Sequence, residues 1–189
     1  MATTSTMTEL GSRVPNFSLP DVTTGRLVRL EDLEGTGGLL VMFLCRHCPY
    51  VAHVREGVAR MAKDYADADL SIVAISANDP AAYPEDAPEG LAEEAREAGY
   101  SFPYLFDETQ QVAKAFGAAC TPDFFLYDHD RRLVYRGQFD SSRPRNELPV
   151  TGEDLRSAID ALLAGEPVSA DQRASVGCGI KWRPENEPR

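Results

Sequence analysis

The longest uninterrupted apolar run in the chain, residues 39 to 45, follows the chain-breaking glycines Gly35, Gly37 and Gly38. Residues 39 to 44 read L-L-V-M-F-L without a polar interruption, as in a central strand buried on both faces. The period then changes. Val51, Val54, Val58, Met61 and Tyr65 recur at intervals of three and four, and His53, Arg55, Glu56, Arg60, Lys63 and Asp64 occupy the other side, which predicts an amphipathic helix. A second apolar run at 70 to 76 completes a strand-helix-strand unit whose two strands should be parallel through a right-handed crossover. Upstream, residues 11 to 33 show two short apolar alternations split by the turn-forming stretch 21 to 25, predicting a hairpin. Downstream, residues 78 to 88 are rich in Pro, Asp and Ala and lead into a polar helix at about 89 to 98, an excursion from the core. Strands are predicted at 101 to 106, 124 to 127 and 133 to 139, with a helix at about 108 to 116. Thr151 is placed as the cap of a last helix running to about 163, with Asp154 favouring its positive end. Residues 165 to 189 read as irregular. No repeat and no second core is visible, so one domain over 1–189 is expected, its core at about 9–165 and a tail at 166–189.

The chain has 189 residues, enough to bury a full core without metal or disulfide staples. Its 19 basic and 30 acidic residues give a formal charge of -11, which disfavours nucleic acid and anionic membranes as partners. The longest apolar run is far below the roughly 18 to 20 residues of a membrane span. The first residues, M-A-T-T-S-T-M-T-E-L-G-S, have no basic or apolar region of a secretory signal, so a cytoplasmic location is expected. Four cysteines are too few for a disulfide scaffold; in a reducing compartment they are expected to be reduced, catalytic or metal-bound.

Cys45-Arg46-His47-Cys48 falls where the buried strand gives way to the helix. This puts Cys45 near the N-cap, where unpaired backbone N–H groups and the helix dipole favour a thiolate. The gain is large, since a thiol of pKa near 8.5 is about 3% ionised at pH 7 and one of about 6.5 is roughly three quarters ionised. Two intervening residues bring the second sulfur within disulfide reach, so Cys45 is read as the attacking and Cys48 as the resolving thiol. Arg46 and His47, inside the pair, would both favour the anionic sulfur. Two other readings of the same spacing are half of a zinc site completed by Cys120, Cys178 or a histidine, and a pair of inert thiols. No second C-x-x-C and no H-x-x-x-H is present to complete the zinc site.

The N-terminal G-x-x-x-P-x-F-x-L hairpin, the strand ending in C-x-x-C, and Thr121-Pro122 before an apolar strand together resemble the thioredoxin-like redoxin superfamily, which includes alkyl hydroperoxide reductase and thiol-specific antioxidant proteins. The resemblance spans about residues 9 to 165. It implies an α/β thioredoxin-like fold: a central mixed sheet flanked by helices, with an N-terminal hairpin and a helical insertion. It also implies a cis Pro122 against the active disulfide and a Thr121 that offers backbone groups to substrate. The activity implied is thiol-disulfide exchange with a protein or small-molecule partner, served by an external electron donor and needing no cofactor. The sequence departs from thioredoxins proper: Leu44 stands where they carry tryptophan and Leu39 where they carry a buried carboxylate, so no proton acceptor for Cys48 is identified. A peroxidase is the next reading, but the peroxiredoxin P-x-x-x-T-x-x-C pattern placed on Cys48 meets Val41 and Cys45 instead of Pro and Thr. A third is a binding module that keeps the fold without turnover.

Cys120, beside the Thr-Pro turn, and Cys178, between two glycines of the tail, are candidate accessory redox thiols. Trp182 is expected to pin the tail. His53 and His129 are read as surface residues, and Asp79, Glu85, Asp86, Glu89, Glu93 and Glu94 as a solubilising acidic face.

Overall fold

A computed structural model describes residues 2–33 and 37–188. The chain opens with strand β1 (Ala2–Thr4), then the hairpin of β2 (Ser18–Pro20) and β3 (Leu27–Arg29), paired antiparallel with Leu19 opposite Val28. Its turn is closed by the Gly25 N–H donating to the Asp21 carbonyl at 2.8 Å, with Gly25 in the left-handed region at φ 71°. The expected hairpin is therefore present. Gly35, one of the three expected strand breakers, lies outside the described residues.

Strand β4 (Gly38–Phe43) is buried along its whole length. Helix α1 (Pro49–Asp64) and strand β5 (Leu70–Ser76) follow, and β5 pairs parallel to β4 as the apolar pattern requires. The remaining elements are α2 (Pro88–Ala98), β6 (Tyr104–Phe106), α3 (Gln111–Phe116), β7 (Cys120–Thr121), β8 (Asp123–Tyr127), β9 (Leu133–Gly137), α4 (Glu153–Leu163) and β10 (Val176–Gly179). The main sheet has the order β6-β5-β4-β8-β9, parallel on one side of β4 and antiparallel on the other, which gives the expected mixed sheet.

Alternation along β4 divides the core in two. Leu40 and Met42 meet α1, α2 and α4 through Val51, Val54, Leu91, Leu155 and Ile159. Leu39, Val41 and Phe43 face the other layer, where Phe116 of α3 packs edge-on to Phe43 and Phe125.

Two expectations are corrected. The last helix is capped by Gly152 in the left-handed region, not by Thr151, whose hydroxyl instead accepts a bond from Glu153 N–H at 3.3 Å. The tail is not irregular throughout: β10 lies between β1 and β7 in a second, three-stranded sheet. Glycine is required there, because a Cβ on Gly177 would stand 2.0 Å from the Thr121 carbonyl oxygen.

Candidate active site

The site is the junction between β4 and α1. Pro49 occupies the first helical position, where its fixed φ suits the helix and its missing N–H costs nothing, so the N-cap is Cys48. Cys45 lies three residues earlier, in the connecting loop, and the expected helix-start position passes from Cys45 to Cys48. Both side chains are wholly buried.

Thr121 joins the two sulfurs. Cys45 Sγ lies 3.1 Å from its hydroxyl, and Cys48 Sγ lies 3.2 Å from its carbonyl oxygen. The Thr121–Pro122 bond is cis. Cys48 is the acidic member, brought down to about 5 first by the Cys45 hydrogen bond, against its burial, and further by Cys178 and the Val51 backbone N–H. Cys45 moves well above the ordinary thiol value because it holds that shared proton, is buried, and faces the Asp86 carboxylate.

Asp86 was read as part of a solvated face, yet it is buried at the centre of the loop's support. It accepts from the backbone N–H groups of Arg46 at 2.8 Å and His47 at 3.1 Å, and from Asn78 Nδ2 at 2.8 Å. Its second oxygen also meets His47 Nδ1 at 2.5 Å. Burial works to raise its pKa, but the bonds from His47 and Asn78 prevail and hold it below the ordinary carboxylate value. The His47 ring stacks on Tyr83 at 4.5 Å. Cys45, His47 and Asp86 thus bring one potential ligand or proton-carrying atom each within 4.8 Å of one another.

Arg46 does not reach toward the sulfurs as expected. Its guanidinium donates to the Gly90 carbonyl at 2.7 Å and pairs with Glu93 at 2.6 Å, both on α2. Glu94 is likewise buried, paired with Arg55 at 2.9 Å and accepting from Tyr104 Oη at 3.2 Å. The excursion at 78 to 98 therefore carries the residues that clamp the C-x-x-C loop.

The AhpC/TSA family model matches residues 10–136, more than half of the chain. This chain belongs to the AhpC/TSA family. The AhpC/TSA protein is also similar in structure to an uncharacterized conserved protein from Geobacillus kaustophilus, at 53% identity and a TM-score of 0.96 over 97% of each chain. It shares 28% identity with thiol-disulfide oxidoreductase ResA of Geobacillus thermodenitrificans over 69% of this chain and 70% of that protein. Its fold is shared with a putative thiol:disulfide interchange protein DsbE from Chlorobium tepidum, at 22% identity and a TM-score of 0.65, covering 82% of this chain and 98% of the other. The resemblance to the redoxin superfamily and the thioredoxin-like fold are thus both upheld.

The other candidates are distributed as follows in this AhpC/TSA member. Cys120 is buried, and burial first, then the Asp123 carboxylate, pushes its thiol far up. Cys178 is only partly buried and packs against the core cluster that contains Cys45 and Cys48. Trp182 packs against the second core layer, as expected of a residue pinning the tail. His53 is not a solvated surface group: its Nε2 meets Ser142 Oγ at 2.7 Å, beside a groove lined also by Tyr50, Pro122 and Val176. His129 is exposed, next to Asp130. Among the described residues, no helix is long and apolar enough to cross a membrane.

Sequence reading missed Asp86, Glu94 and Asp123. Asp123, directly after Pro122, accepts a bond from Ser5 Oγ at 3.0 Å. Nothing in the local sequence marks Asp86 or Glu94 as buried; a hint was available for Asp123, the one charged residue in the run 123 to 127.

Proposed function

We propose that this AhpC/TSA member is a thiol-disulfide oxidoreductase whose redox centre is the Cys45–Cys48 pair. The observation that carries this reading is the convergence of both sulfurs on Thr121, at 3.1 Å and 3.2 Å, in a buried strand-helix junction. A stabilised Cys48 thiolate provides the nucleophile, and two sulfurs in mutual contact provide the electrons for one disulfide. Closing that disulfide requires Cys45 to give up its proton. His47, held by Asp86, has a ring nitrogen within 4.8 Å of the Cys45 sulfur and is the group placed to take that proton as the site closes. Arg46 acts through position, fixing the loop on α2. Thr121, followed by the cis Pro122, is the residue on which the pair rests. The activity named for the ResA relative supports the same class.

The partners in this reading are a protein or small-molecule disulfide and an external electron donor, in the cytoplasm. Neither nucleic acid nor a membrane is invoked. In steady-state assays the protein should reduce a disulfide substrate with a catalytic efficiency clearly above that for hydrogen peroxide. An efficiency with peroxide near about 10⁶ M⁻¹s⁻¹, together with a poor disulfide rate, would assign the site to a peroxidase instead. No turnover of either would favour the binding module.

A further inference from the structure

Both sulfurs of the proposed pair are wholly buried, so a thiol or disulfide outside the molecule does not meet them as the fold stands. Cys178 is the partly exposed one among the four cysteines. It sits on β10 in register with Thr121, the residue that contacts both sulfurs. Its side chain packs against the core cluster that contains Cys45 and Cys48. Burial first, and then the neighbouring Cys48, push its thiol up to about 12.

The strand is held there by more than one contact. Gly177 allows β10 to lie against the Thr121 carbonyl, and Ala2 of β1 pairs with Cys178 from the other side. Just beyond β10, the Lys181 N–H donates to Asn78 Oδ1 at 2.8 Å, and Asn78 is the residue that also donates to Asp86. The support of the C-x-x-C loop and the support of the tail are therefore joined.

We propose that Cys178 is the gateway thiol of this centre, exchanging with Cys48 and so connecting the buried pair to a dithiol or disulfide at the surface. The proposal rests on the exchange reading above. When Cys45 and Cys48 are oxidised, the Cys178 thiol loses its proton and its sulfur attacks Cys48 Sγ. The Cys48–Cys178 bond forms, the Cys45–Cys48 bond breaks, and the electron pair passes to Cys45, which takes up a proton. The number of disulfides is unchanged. An outside dithiol then attacks Cys178, forms a mixed disulfide with it, and releases Cys48; its second thiol frees Cys178. The dithiol leaves as a disulfide, having delivered two electrons and two protons.

Trypsin separates all four cysteines, because Arg46 lies between the first two: they fall in peptides 30–46, 47–55, 115–131 and 174–181. Cys45→Ser treated with oxidised glutathione should yield peptide 47–55 linked to 174–181. In Cys178→Ser and Cys178→Ala, a preformed Cys45–Cys48 disulfide should be reduced by dithiothreitol at least about tenfold more slowly than in the wild type, since access now limits the exchange. Matching thermal midpoints would show that both variants are folded. An unchanged or faster reduction would make β10 a mere cover and overturn the proposal, as would Cys48 ending as a glutathione mixed disulfide in Cys45→Ser. If the oxidised wild type carries no Cys45–Cys48 link, the exchange reading itself fails and the proposal with it. A link that forms and is reduced equally fast without Cys178 removes the gateway alone.

Discussion

Asp86→Ala should destabilise the protein by about 3–5 kcal/mol, measured as a lower urea midpoint at neutral pH, because it leaves several buried partners without an acceptor. The carboxylate holds two backbone N–H groups of the C-x-x-C loop, the His47 ring and Asn78, and it is wholly buried itself. Water cannot readily replace it for all four. Asp86→Asn keeps one acceptor oxygen and should lose less. It also removes the negative charge that faces Cys45, so Cys45 should react faster with iodoacetamide at pH 7 than in the wild type. A stability within about 1 kcal/mol of wild type for the alanine variant would show that the loop does not depend on this anchor.

Two buried carboxyl groups should each withdraw stability as pH rises from about 4 to about 7, because burial pushes them up to about 7 in the folded state, Glu94 from 4.5 and Asp123 from 3.8. The sign follows from proton binding: in this window the folded protein holds protons that the unfolded chain has released, so each unit of pH favours unfolding. Their contribution is fully present below the unfolded values and is lost as pH passes through 7. Each group contributes on the order of 3 kcal/mol across the window. Asp86 works in the opposite direction and in a separate range. Its lowered pKa adds stability above the unfolded value of 3.8, lost only as pH falls below it. Cys48, lowered to about 5, adds stability as pH rises through the same range, so the descent is read in Cys48→Ser, whose urea midpoint at pH 5 should exceed that at pH 8. Glu94→Gln and Asp123→Asn should each flatten the descent, Glu94→Gln while leaving an acceptor for Arg55 and Tyr104. Equal midpoints at pH 5 and pH 8 in Cys48→Ser would contradict the carboxyl contribution.

The fold was most legible where the period was clean. The run of β4, the three-four spacing of α1 and the run of β5 each have one structural solution, and their order then dictates a parallel pair. The C-x-x-C pair was legible because its chemistry lies in the spacing, and Thr121-Pro122 because of the resemblance. The helix start was misplaced by three residues although Pro49 marked it, since proline at the first helical position makes the preceding residue the cap. β10 was hidden by its composition: V-G-C-G reads as loop, yet a glycine is what lets that strand lie on the Thr121 carbonyl. Asp86 and Glu94 sit among six acidic residues of a segment with little apolar pattern. Their burial is decided by Arg46 and His47 in one case and by Arg55 in the other, each about 40 positions away. No local rule reaches that far.

The central claim is that Cys45 and Cys48 form one reversible two-electron couple, and a redox titration followed by tryptic mapping tests it most directly. The account predicts that peptide 30–46 becomes linked to peptide 47–55 in a single two-electron transition. Its midpoint should lie above thioredoxin's value of about -270 mV, at roughly -250 to -200 mV, because the reduced form is favoured by the stabilised Cys48 thiolate. The absence of any link containing Cys45 at every potential, with Cys48 remaining a free thiol, would contradict it.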